Sequence, residues 1–266
     1  GDMMRSSDMS SSMGAASAMT PKPSWFLRCL LFLILVFQTQ AAGDWTDLEK
    51  EASQLLKNYS SGPPTERRRE KALSYAGALW TKRRADDLRS YCAQWMTWDP
   101  SNGLVYEYLA RAAQHVGNVN TALRAATSIT EIAPRDSEQL LRGSWLALAL
   151  TQSGTSDREV AATWAKRFAE RSLEERDDNP NTYRALALSA WQSGDYGAAA
   201  IAYQKGIAFD FNGRYGDVSR VLREEAALFL RKLKADPAKQ ALADELAKGA
   251  LADLNQEEGK GIGLRI

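Results

Sequence analysis

His115 is the sole histidine of the chain, so a Ser/His/Asp relay or a histidine-based metal site would have to be built on it. It lies two residues before a turn glycine, Gly117, which reads as a surface or half-buried helix position rather than a catalytic one. Of the two cysteines, Cys29 lies in an apolar N-terminal run and Cys92 stands alone in the body. The body therefore has no disulfide framework and no cysteine metal cluster. Glu174-Glu175 and Asp177-Asp178 are paired carboxylates, but they fall where a helical stretch ends and read as solvated helix-end charges. Gly259-Lys260-Gly261-Ile262-Gly263 lacks the spacing of a phosphate-cradling loop, and neither His-Glu-x-x-His nor G-x-S-x-G occurs. Asn58-Tyr59-Ser60 fits a glycosylation sequon, which matters only in a eukaryotic secretory pathway. These groups imply no catalyst, no cofactor and no metal.

The side chains with the most to offer are arginines and tryptophans at regular spacing, and their positions depend on the helices that carry them. The best-formed stretch is Asn181 to Asn212, which reads as two short helices around the turn Gly194-Asp195-Tyr196. Ala110, Ala147 and Ala187 each stand seven residues before a turn glycine (Gly117, Gly154, Gly194). A small residue there lets helix backbones approach closely. Pro100, Pro134 and Pro180 mark the ends of successive units, with Phe211 in the matching place of the last. The expected unit is a helical hairpin, and the expected fold is an all-α solenoid.

Before the repeats, residues 1–18 carry no periodicity and are expected to be disordered or upstream leader. Residues 19–43 have the build of a secretory signal: Lys22 and Arg28, then the apolar run Cys29 to Phe37, then Ala41-Ala42-Gly43. The apolar run is shorter than the ~20 residues a bilayer needs. An uncleaved signal anchor is the alternative, and it would be the chain's one membrane contact. Residues 44–64 read as an amphipathic helix and a linker. Repeats are expected over 65–212, with Ala72, Tyr75, Ala76, Leu79 and Trp80 inward on the first helix and the run Arg67-Arg68-Arg69 solvated. Capping helices are expected over 213–256, including a helix from Val218 to Leu233 and another from Ala238 to Leu254. Residues 257–266 read as a linker into a further domain.

Composition narrows the partners. Hydrophobic residues make up 44% and charged residues 25%, ordinary values for a folded protein. The net charge of +1 gives no electrostatic footprint for nucleic acid or for a general membrane surface.

The three glycine-aligned units resemble tetratricopeptide repeats. The segment from Thr182 to Leu230 is similar to the helical region of bacterial exported multidomain proteins, in which such repeats precede a small β-rich domain. The resemblance implies that four positions of each first helix line a groove. Counted from the turn glycine, these are Leu104, Glu107, Arg111 and Gln114 in the first of the three units. They are Leu141, Ser144, Leu148 and Thr151 in the next, and Asn181, Arg184, Leu188 and Trp191 in the last. Glu107, Arg111, Gln114, Arg184, Leu188 and Trp191 are the expected partner-binding residues. Arg184 and Trp191 would hold an extended peptide by charge and stacking. The alternative is a groove packed by the protein's own terminal helix or a downstream domain. The expected function is a non-catalytic, exported protein- or peptide-binding scaffold of the cell envelope; the alternatives are a spacer or regulatory region of a larger envelope protein with no ligand of its own and, more remotely, an enzyme.

Overall fold

In a computed structural model, residues 48–50, 54, 65–152, 157–209, 218–252 and 254 are described. The chain divides into two units, Gly1–Lys50 and Glu51–Ile266; in the first, residues 48–50 are helical. The expected signal segment, the turn glycine Gly154, the 210–217 connection and the 257–266 linker lie outside the described residues.

The second unit is an all-α solenoid of packed helical hairpins, with no strand among the described residues. Its helices are α1 (Glu66–Thr81), α2 (Ala85–Trp98), α3 (Gly103–His115), α4 (Val119–Ile132) and α5 (Ser137–Leu150). They continue as α6 (Arg158–Glu175), α7 (Pro180–Gln192), α8 (Tyr196–Ala208), α9 (Val218–Lys234) and α10 (Gln240–Lys248). Each helix packs on the next, and each odd-numbered helix also touches the odd-numbered helix that follows. The odd helices thus form one layer and α2, α4, α6 and α8 their backing.

Local chemistry sets the helix starts. Asn102, Asn118, Asp136, Asn179 and Asp195 each accept a hydrogen bond from the backbone N–H of the second or third residue of α3, α4, α5, α7 and α8. Pro180 opens α7 rather than closing α6, which already ends at Glu175; a proline at the first helical position sacrifices no hydrogen bond.

The hairpin turns repeat one geometry. At Gly117 the φ is 76° and at Gly194 it is 82°. Gly117 N–H bonds to Gln114 O, and Asn118 N–H bonds to Ala113 O. Gly194 and Asp195 repeat the pattern onto Trp191 and Ala190. The first hairpin has the same turn without a glycine. Arg83 takes φ 56°, its N–H bonds to Trp80 O, and Arg84 N–H bonds to Leu79 O. Arg83 is therefore the turn residue of a repeat that glycine alignment cannot find. The signal that could have found it is Pro100, which follows Arg83 at the interval by which Pro134 follows Gly117.

Small residues govern the packing. Ala76, Ala110, Ala147 and Ala187 are all buried. A Cβ on Gly206 in α8 would lie 2.9 Å from Leu222 Cδ1 of α9 and 3.0 Å from Tyr183 Cβ of α7. A Cβ on Gly143 in α5 would lie 2.6 Å from Thr130 Cγ2 of α4. The helix backbones meet where side chains are missing.

Two expectations change here. Trp80 is 36% exposed instead of joining Ala72, Tyr75, Ala76 and Leu79 in the core. Arg69 is not simply solvated: its Nε and Nη2 donate to the buried Asp99 carboxylate at 2.9 and 3.0 Å. Asn102 Nδ2 adds a third bond at 2.9 Å. Burial pushes the Asp99 carboxyl up, but the bonds from Arg69 and Asn102 outweigh it and hold the group below the usual carboxylate range.

At the C-terminal end, α9 takes the place of a further odd helix. Leu222, Ala226, Phe229, Leu230 and Leu233 form its buried face. The final helix is shorter than the sequence suggests: α10 ends at Lys248, with a turn at Gly249.

Candidate functional site

The odd helices present matching rows of side chains when aligned on their last residues, Thr81, His115, Leu150 and Gln192. One row is Leu73, Glu107, Arg142 and Arg184. Another is Trp80, Gln114, Ala149 and Trp191. Arg142 and Ala149 stand where glycine alignment places Ser144 and Thr151. The difference arises because α5 ends at Leu150, four residues ahead of the conspicuous Gly154, whereas α3 and α7 end two residues ahead of Gly117 and Gly194. Leu141, Ser144, Leu148 and Thr151 are all buried. Ser144 Oγ donates to Ala165 O of α6 at 2.8 Å, so it faces its own hairpin partner.

The rows make direct contacts. Glu107 accepts from Arg111 Nη2 at 2.7 Å and pairs with Arg142 Nη1 at 3.1 Å. Gln114 Nε2 donates to Ala149 O at 3.0 Å, tying α3 to α5. Between these helices lies a cleft of about 410 Å³ with Leu141, Trp145 and Leu146 in its wall and Glu107, Arg111, Gln114 and Arg142 around it. The Arg111 and Arg142 side chains are 46% and 38% exposed, whereas Glu107 is 17% exposed. Two accessible guanidinium groups share one half-buried carboxylate. The other acid of the cleft, Glu138, already faces Arg176 at 3.9 Å and Asn179 Nδ2 at 3.5 Å. The arrangement can accept one further anionic or hydrogen-bond-accepting group beside an apolar wall.

Arg184, Leu188 and Trp191 lie elsewhere. The Arg184 guanidinium stacks over the Trp145 ring at 5.2 Å, which joins α7 to the wall of the cleft. Its Nε and Nη2 donate to the Glu225 carboxylate of α9 at 3.0 and 2.6 Å. The Glu225 hydrogen bonds hold the Arg184 proton more firmly than in a free arginine, against a smaller opposing effect of burial. Trp191 meets Phe229 of α9 edge to face, with centroids 5.3 Å apart. Leu188 is half-buried against the core around Leu141 and Leu148. The six expected residues thus do not share one site. Glu107, Arg111 and Gln114 surround an open cleft; Arg184 and Trp191 are engaged by α9; Leu188 packs on the core between them.

The chain matches no protein-family model, and no curated protein sequence matches it. Among the described residues no helix is long and apolar enough to cross a membrane.

Proposed function

We propose that the chain is a non-catalytic scaffold of the tetratricopeptide-repeat type that holds a protein segment or peptide along its odd helices. The carrying observation is the α3–α5 cleft, where Arg111 and Arg142 outnumber the shared Glu107 beside Trp145 and Leu146. An extended segment with an apolar side chain followed by an acceptor group suits that surface. The repeated turns at Arg83, Gly117 and Gly194 support the repeat reading. The sequence of residues 19–43 supports export to the periplasm or beyond, within a bacterial envelope assembly.

A second reading has its own support. Arg184 and Trp191 are taken by Glu225 and Phe229, as expected of a spacer in a larger envelope protein with no ligand on that half. Capture from envelope extract separates the two. A partner retained by wild type and by Arg184→Ala, but lost with Arg142→Glu, supports binding at the α3–α5 cleft. Identical recovery across all three proteins favours the spacer.

A further inference from the structure

A second cleft, of about 560 Å³, opens at the turn edge of the first two hairpins and is lined by Trp80, Thr81, Arg83, Ala85 and His115. Trp80 and His115 meet edge to face with centroids 6.2 Å apart, and both are exposed. Among the described residues no acid lines this cleft. The nearest acids on α2 are already paired: Asp87 with Arg84 at 2.7 Å and Asp86 with Arg89 at 3.6 Å. Arg83 is exposed and has no ion pair among the described residues. It also sits in the left-handed backbone region that the equivalent turns give to Gly117 and Gly194. A Cβ at either glycine would meet nothing within 4 Å, so backbone strain is what favours glycine in this turn. A strained arginine facing an acid-free cleft beside an exposed indole is a pairing that stability alone does not ask for.

We propose that this cleft is a second binding site, for a peptide that presents a carboxylate next to an aromatic side chain. The guanidinium of Arg83 pairs with the carboxylate, and the aromatic ring packs against Trp80 and His115. This site is separate from the α3–α5 cleft, and neither reading depends on the other.

The single histidine makes the test direct, because the two carbon-bound protons of its ring are assignable by NMR without overlap from another histidine. The full chain is titrated with an acetylated tetrapeptide ending Phe-Glu, as free acid and as amide, and with the uncharged Phe-Gln amide. The acidic peptides are expected to shift the His115 signal, and the uncharged one to bind about tenfold more weakly. Loss of binding on amidation assigns the main-chain carboxylate; retention assigns the side chain. Arg83→Gly removes the guanidinium and relieves the backbone, so it is expected to keep the fold and to lower affinity about tenfold. No shift of His115 at millimolar peptide overturns the proposal. So does equal binding of charged and uncharged peptides, or undiminished affinity in Arg83→Gly.

Discussion

Arg184 and Glu225, separated by 41 positions in sequence, form a bidentate ion pair that fastens α9 to α7, with Nη2 and Oε1 2.6 Å apart. The side chains are 31% and 20% exposed, so the pair is partly shielded from water. Four residues further along α9, Phe229 is fully buried against Trp191, Tyr203 and Tyr196. Arg184→Ala leaves Glu225 half-buried without its partner and is expected to cost about 1–3 kcal/mol. Amide exchange should quicken in α9 and α10 while α3 to α5 keep their protection. Uniform loss of protection across the chain would show that the pair does not act locally.

Arg83 gives a stabilising prediction. A non-glycine residue in the left-handed region costs about 1–2 kcal/mol. Glycine returns part of that through its unfolded-state entropy, about 0.5–1 kcal/mol. Arg83→Gly should therefore raise the urea midpoint slightly, by up to about 1 kcal/mol of stability, and Arg83→Val should lower it.

Two glycines of α8 should respond in opposite directions. Gly206→Ala drives a methyl group into the Leu222 side chain and Tyr183 Cβ and should cost about 1–3 kcal/mol despite its better helix propensity. Gly197 has nothing within 4 Å of an added Cβ, so Gly197→Ala should stabilise by up to about 1 kcal/mol. Thermal melts of the pair would check this; equal effects would mean that α8 and α9 are not in close contact.

Asp99 predicts acid sensitivity. Its carboxyl binds protons less readily in the folded chain than in the unfolded one, because Arg69 and Asn102 outweigh burial. Its contribution is complete above the free carboxylate range of about 3.9 and is lost as pH falls through the lower folded value. Asp99→Asn should cost about 1–3 kcal/mol at neutral pH, since Arg69 remains partly solvated. The variant should also lose stability less steeply than wild type below pH ~4, measured by urea unfolding across pH.

The legible part of this fold was its spacing. Gly117, Gly194 and the buried alanines Ala110, Ala147 and Ala187 follow from helix period and backbone approach, which are local properties. Arg83 is not legible as a turn residue, because glycine marks such turns in a sequence whereas the hydrogen bonds that define them are backbone bonds any residue can make. The longer connection after α5 shifts the glycine alignment by two residues, so it points to Ser144 and Thr151 where the rows hold Arg142 and Ala149. Arg184 and Trp191 stand in the same rows as Glu107 and Gln114, on the helix that glycine alignment gives them. What covers them was not legible, because Glu225 and Phe229 arrive from a helix without repeat consensus.

A segment held on the odd-helix surface between α3 and α5, as proposed, lies within reach of a photoreactive amino acid placed at Arg111 or at Trp145 and out of reach of one at Val160, which is 49% exposed on α6. Irradiation of each variant in an extract of the cells that express it should give one discrete adduct from the Arg111 and Trp145 positions. The same partner should appear in both, and none from Val160. Adducts of equal yield from all three positions, or none from Arg111 and Trp145, would contradict the account.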